Sequence, residues 1–266
     1  MSETLEMPLR YFRMFPPERW SGEVEEVQRI HRDEAALCLI DVYGEENADS
    51  STPPPLSSTA SIEASREIVD TAIIPALNAA RECGITVIYV NNSAPLIHLR
   101  ESVFGRAQER VTGLDISKVF AEPEADTLEY HRGENGFVGI APELRPLEGE
   151  YFVRKHVHSG FFETRLHSLL TNLEKRWLFF CGFTLDCCLS ATAMDALYRG
   201  YEVVLLRDAT LACETNDEAI DHSFTQRMIN WFEMMIGYTI ATTTFVEATR
   251  AVSTLDSRTL ARKSRA

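Results

Sequence analysis

Short apolar runs alternate with amphipathic stretches over most of this chain, and the alternation predicts its architecture. AALCLID (35–41), ITVIYV (85–90), EYFVRK (150–155), WLFFCG (177–182) and YEVVLL (201–206) are too short for helices. They are rich in β-branched or aromatic residues, the pattern of strands buried in a parallel sheet. Between the first two runs, Ile68, Val69, Ala72, Ile73, Leu77 and Ala80 recur at helical spacing from Arg66 to Cys83, with Gly84 as the stop. Helices are also predicted over 162–173, 187–200 and 218–235, and a weaker one near 102–111. Strand, helix and strand in turn make βαβ units. The expected fold is α/β: a parallel, six-stranded sheet with helices on both faces, a Rossmann-like three-layer sandwich.

The pattern also divides the chain. Residues 1–34 mix charged and aromatic positions without sustained period and read as an N-terminal extension draped over the core. The main domain spans 35–248, and 249–266 read as a C-terminal tail. Within the domain, DSSTPPPLSSTASIEAS (49–65) is a surface loop, because consecutive prolines fit neither a helix nor a sheet interior. Residues 91–150 show little period and are expected to form a lid or pocket wall.

Composition narrows the function. Of 266 residues, 26 are Lys or Arg and 40 are Asp or Glu, a formal net charge of −14. That balance argues against nucleic acid or an anionic membrane as partner, since both demand clustered cations. No apolar run is long enough to span a bilayer, and MSETLEMPLRYFRMF lacks the build of a secretory signal. The expectation is a cytoplasmic protein acting on a small molecule. The six cysteines lack the spacing of a disulfide framework and are expected to be reduced.

In an open parallel sheet the ligand site lies beyond the carboxyl ends of the strands, which directs attention to Asp41, Lys155 and Cys188. GFTLDCC leaves a strand and enters a helix, placing Cys188 in the first turn. Free N–H groups and the helix dipole there would favour a thiolate and could hold an oxyanion. Asp41 could take and return the proton, and Lys155 could hold that carboxylate in place. Taken singly, each residue reads as well another way. Cys188 is equally a small buried hydrophobe, Asp41 a turn cap and Lys155 a solvated strand end.

Three blocks of sequence resolve this. LCLID ends in Asp41; RKHVHSGFFETRLHSLL carries Lys155 and Ser159; GFTLDCCLSATAMDALYRGYEVVLLRDAT places Cys188 six residues after Gly182. Over roughly residues 35–248 the chain resembles the isochorismatase-like cysteine hydrolases. The resemblance implies that Cys188 and not Cys187 is the nucleophile, with Asp41 and Lys155 completing the triad. It implies a cis peptide between Phe183 and Thr184, and an oxyanion hole formed by the N–H groups of Thr184 and Cys188. It also implies assembly as a dimer or tetramer, for which the helix carrying Trp231, Phe232, Met234 and Met235 is a candidate surface unless it is core.

Departures bear on the substrate. Family members usually read Asp-x-Gln-x-x-Phe at the first strand end, whereas this chain reads DVYGEE, with Tyr43 at the Gln position and Glu45 and Glu46 beyond. Metal-binding members carry Asp-x-His after the second strand, where VNNSAPLIH stands here. His98 lacks that spacing, so no metal and no other cofactor is expected. His156 and His158 would share one strand face, with no third ligand nearby. SGFFET resembles the ureide- and carbamoyl-cleaving branch. Phe161 and Phe162 are candidate walls of a flat pocket, at least one of them equally readable as core, and Asn91 or Asn92 is a candidate partner for an amide. The expected activity is metal-independent hydrolysis of a small amide or ureide-like C–N bond. Vinyl-ether hydrolysis of an isochorismate-like acid and an inert binding module are the alternatives.

Overall fold

In the computed structural model, residues 4–42, 59–92, 103–112, 142–155, 157–214 and 221–263 are described. Strand β1 (Thr4–Arg13) pairs antiparallel with β2 (Gly22–His31) over all ten residues. Then come β3 (Ala35–Ile40) and a long helix α1 built of Thr59–Ile68, a wide turn Val69–Ile73, and Ile74–Cys83. Next are β4 (Thr86–Asn92), α2 (Val103–Thr112), β5 (Tyr151–Lys155), α3 (Leu166–Asn172) and β6 (Trp177–Phe183). A wide turn Leu185–Leu189 opens α4 (Ser190–Tyr198). The order closes with β7 (Glu202–Leu211), α5 (Ser223–Met235), β8 (Tyr238–Ile240) and α6 (Thr242–Lys263).

All eight strands form one sheet in the order β2-β1-β8-β7-β6-β3-β4-β5. Strands β3 to β8 run parallel, and the N-terminal hairpin adds two antiparallel strands beyond β8. The six-strand expectation therefore covers the parallel part alone. From β3 the chain winds outward through β4 to β5, then crosses back to β6 on the other side of β3 and winds out through β7 to β8. The reversal between β3 and β6 is the switch point where α/β sheets bind ligands.

Two apolar layers sandwich the sheet. One holds Leu37, Leu39, Tyr89 and Phe179 with residues of α1 and α6. The other holds Cys38, Ile40, Val90 and Phe180 with residues of α3, α4 and α5. Every residue of β3 and of β6 is buried, as the unbroken apolar runs require. Gly84 ends α1 in the left-handed conformation, with φ 80°, which only glycine adopts without a steric cost.

The N-terminal segment does not drape over the core; it extends the sheet. Leu5, Met7 and Leu9 alternate inward and are fully buried in the layer containing Phe245, each side chain contributing about 1.5–3 kcal/mol. Arg10 Nε meets the buried Glu233 Oε1 at 2.7 Å, and Thr239 Oγ1 donates to the same oxygen at 2.6 Å. This joins the hairpin to α5 and β8. The outer strand β2 is left at the edge with exposed Glu23, Glu25 and Glu26, charges that discourage further strand pairing. At the other end α6 runs through the expected boundary at 248/249, so what read as a tail begins inside a helix. On α5, Phe232 is fully buried and Trp231 packs against the same layer, whereas Met234 and Met235 are exposed.

Candidate active site

Asp41 follows the last residue of β3 with φ 47°, a left-handed conformation that Asp tolerates better than most residues. Its N–H still donates to Val90 O at 3.1 Å, so the chain turns only after the acid has been placed at the strand end. Its Oδ1 accepts from the Asn92 N–H at 2.8 Å. Its Oδ2 lies 2.7 Å from Lys155 Nζ.

Lys155 ends β5, the sheet's edge, with β4 standing between it and β3. Two strand spacings of about 4.8 Å separate its backbone from that of Asp41, a span that calls for a long side chain. The ammonium reaches across and is fully buried. It donates to Asn92 Oδ1 at 2.5 Å and to Cys188 Sγ at 3.2 Å. Complete burial works against its charge, but Asp41 and then Cys188 outweigh that and hold its pKa above the ordinary lysine value.

Cys188 is delivered by the turn after β6. Gly182 has φ 111°, and a Cβ there would stand 2.0 Å from the carbonyl oxygen of Ile40, so glycine alone lets β6 run this close to β3. The Phe183–Thr184 peptide is cis. The N–H groups on either side of Cys188, those of Cys187 and Leu189, both donate to Thr184 O, at 3.1 and 3.2 Å. Thr192 Oγ1 donates to Cys188 O at 2.7 Å and accepts from Gly160 N at 2.9 Å, tying the 157–164 loop to α4. Ser159 Oγ donates to Asp195 farther along the same helix.

The acid, the ammonium and the sulfur expected at three strand ends thus share one buried cluster. The two adjacent thiols shift in opposite directions. Hydrogen bonding to Cys187 and then burial raise the Cys188 pKa well above 9.0, with Lys155 opposing them. Cys187 is the acidic member. Hydrogen bonds from Cys188 and His158 lower it to about 5 against the cost of burial. The two sulfurs are 3.9 Å apart.

The other expected residues fall into three groups. Asn92 lies in the cluster, but its amide oxygen is engaged by Lys155, so it braces the buried pair. Asn91 lies on the opposite sheet face, in register with Arg154. Phe161 is buried, stacked on Tyr201 at 6.1 Å, with the Arg199 guanidinium 4.9 Å above it. Phe161 packs in the same buried apolar layer as Cys188. Phe162 is 45% exposed. Tyr43, Glu45, Glu46, His98 and His156 lie outside the described residues. Strand β5 ends at Lys155, which leaves His158 beyond it and removes the shared strand face proposed for the two histidines. Among the described residues no group of three or more His, Cys, Asp or Glu side chains is arranged to hold a metal ion. No helix among them is long and apolar enough to cross a membrane.

The family model for the isochorismatase domain matches residues 35–233. The chain belongs to the isochorismatase family. Its start coincides with β3, so the N-terminal hairpin is an addition to the matched region. Curated relatives include the uncharacterized isochorismatase family protein YaaI of Bacillus subtilis, 33% identical over 34% of this chain and 48% of that one. The ureidoacrylate amidohydrolase RutB of Azorhizobium caulinodans is 29% identical over 52% of this chain and 60% of that one. RutB of Variovorax paradoxus is 26% identical over 68% and 70%. The chain thus spans about half to 60% of the length of the first two. Among solved structures, a cysteine hydrolase from Pseudomonas syringae superimposes with a TM-score of 0.64 at 20% identity, covering 84% of this chain and 95% of that one. N-carbamoylsarcosine amidase from Thermoplasma acidophilum does so at 0.51 and 21% identity, covering 79% and 96%. At these identities the superpositions establish the fold.

Proposed function

We propose that this protein is a cysteine hydrolase that cleaves the C–N bond of a small amide, ureide or carbamoyl compound through a covalent acyl-enzyme, without a metal. One observation carries the reading: the buried Lys155 ammonium contacts both Asp41 Oδ2 and Cys188 Sγ. The base and the nucleophile are therefore no farther apart than those two contacts laid end to end. Curated relatives named as ureidoacrylate amidohydrolases support the substrate class, and the missing Asp-x-His pattern supports metal independence.

In the proposed reaction Asp41 takes the Cys188 proton as the sulfur adds to the carbonyl carbon, while Lys155 stabilises the negative charge on sulfur. The resulting oxyanion is held by the N–H groups of Thr184 and Cys188. Its collapse breaks the C–N bond, and Asp41 gives its proton to the departing nitrogen, which leaves as ammonia or an amine. Asp41 then deprotonates a water that attacks the thioester; the C–S bond breaks, the acid is released, and the proton returns to the sulfur. Asn92, holding the side chain of Lys155 and the carboxylate of Asp41 together, is the positioning residue.

Ammonia release measured across a panel of amides, ureides and carbamoyl compounds tests the reading. Wild-type protein turns over at least one class, and Cys188→Ser turns over none. Turnover surviving that substitution contradicts the mechanism and favours vinyl-ether chemistry with Asp41 as proton donor.

A further inference from the structure

We propose that the sulfurs of Cys187 and Cys188 form a two-point binding site for a soft divalent cation such as Zn²⁺ or Cd²⁺, and that its occupancy blocks the enzyme. Neither the mechanism above nor the family match gives Cys187 a task. Yet it is half-buried, with its sulfur 3.9 Å from that of Cys188.

That separation decides what the pair can hold. A tetrahedral ion with metal–sulfur bonds of about 2.3 Å spans about 3.8 Å between two of its sulfurs, within 0.1 Å or so of the gap observed. The alternative, a disulfide, requires the sulfurs to close to about 2.05 Å. Neighbouring Cα atoms lie only about 3.8 Å apart, short of the roughly 4.4–6.8 Å that disulfides use. An ion fits where a bond does not.

The chemistry of the surroundings agrees. Thiolates select soft cations. On binding, two metal–sulfur bonds form, the protons still held by the pair leave to solvent, and no electrons move, so the affinity rises with pH. The Lys155 charge beside Cys188 opposes a cation, but Asp41 at 2.7 Å balances it. With no third His, Cys, Asp or Glu ligand arranged among the described residues, water completes the coordination. That makes the site reversible and inhibitory in character.

Binding itself stands on geometry; the block on turnover rests on the reading of Cys188 as nucleophile. The two are separated by titrating the reduced protein with Cd²⁺ and recording the thiolate-to-cadmium ultraviolet band beside ammonia release. One equivalent produces the band and abolishes turnover in parallel, and excess small dithiol reverses both. Cys187→Ser weakens Cd²⁺ binding roughly 100-fold, Cys188→Ser does the same, and Cys213→Ser leaves it unchanged. Absence of the band in the wild type overturns the proposal. So does a Cys187→Ser protein that binds as tightly as wild type, or a Cys213→Ser protein that binds as weakly as Cys187→Ser. A normal band in a protein that releases no ammonia from any substrate leaves the site standing and removes the catalytic reading instead.

Discussion

Lys155 Nζ lies 2.7 Å from Asp41 Oδ2, with the lysine side chain fully buried and the aspartate 4% exposed. Charges taken this far out of water persist as a pair or not at all. Lys155→Met strands the carboxylate and costs about 3–5 kcal/mol of folding stability, whereas adding Asp41→Asn to it recovers part of that loss. Urea unfolding of the two single variants and the double variant checks this. Strictly additive losses contradict the coupling.

The bracing role of Asn92 predicts a particular kinetic signature. Asn92→Ala removes the acceptor that fixes Lys155 but keeps the backbone N–H that holds Asp41, so kcat falls by up to about 100-fold while KM stays within about twofold. Steady-state kinetics on the best substrate of the panel decide it. A rise in KM at constant kcat would instead make Asn92 a substrate contact, as its position at a strand end first suggests.

Cys187 sets a pH dependence with a definite sign. Its folded pKa of about 5 lies below its ordinary 9.0, so the unfolded chain binds the proton more tightly. The stabilisation is complete above pH 9.0, shrinks as pH falls, and is gone below about 5. The stability difference between wild type and Cys187→Ser therefore grows from pH 5 to pH 9; a flat difference contradicts it. Alkylation at neutral pH should strike Cys187 before Cys188 for the same reason. Relative labelling rates consequently do not identify the nucleophile, and substrate must be used to find it.

Removing Arg10 tests how the N-terminal hairpin is held. Glu233, its side chain 1% exposed, keeps the Thr239 hydroxyl and the longer-range charge of Arg207 when Arg10→Ala removes the guanidinium, and stability falls by about 3 kcal/mol. Arg10→Ala combined with Glu233→Gln is more stable than Arg10→Ala alone, as chemical denaturation shows. An unchanged midpoint in Arg10→Ala contradicts the anchoring role.

The legible parts of this fold are those where one residue pattern has one physical solution. AALCLI and WLFFCGF are buried on both faces, so their unbroken apolar runs name two adjacent central strands, and Gly84 marks a helix end. The hairpin was not legible. Leu5, Met7 and Leu9 do alternate, but Tyr11 and Phe12 obscure the period, and β2 carries so much charge that only its partner makes it a strand. Strand β8, three residues long, falls below what periodicity resolves. In the site, Asp41, Lys155 and Cys188 are each ambiguous singly and stand out only through the sequence blocks that carry the family resemblance; the structure brings their side chains together. A phenylalanine at a helix start looks the same whether it lines a pocket or packs, and the stacking of Phe161 on Tyr201 is not legible in the sequence. The opposed shifts of the two thiols depend on a sulfur–sulfur contact and on His158 beside Cys187, which no residue pattern carries.

The central claim is that Cys188 carries the acyl group during turnover. Protein quenched during steady-state reaction with its best substrate, digested and mapped by mass spectrometry, reports this directly. The account predicts the acyl mass on the Cys188 sulfur, absent without substrate and absent in Cys188→Ser. Full turnover with the adduct on Cys187, or with no adduct on any cysteine while thioester hydrolysis is limiting, would contradict it.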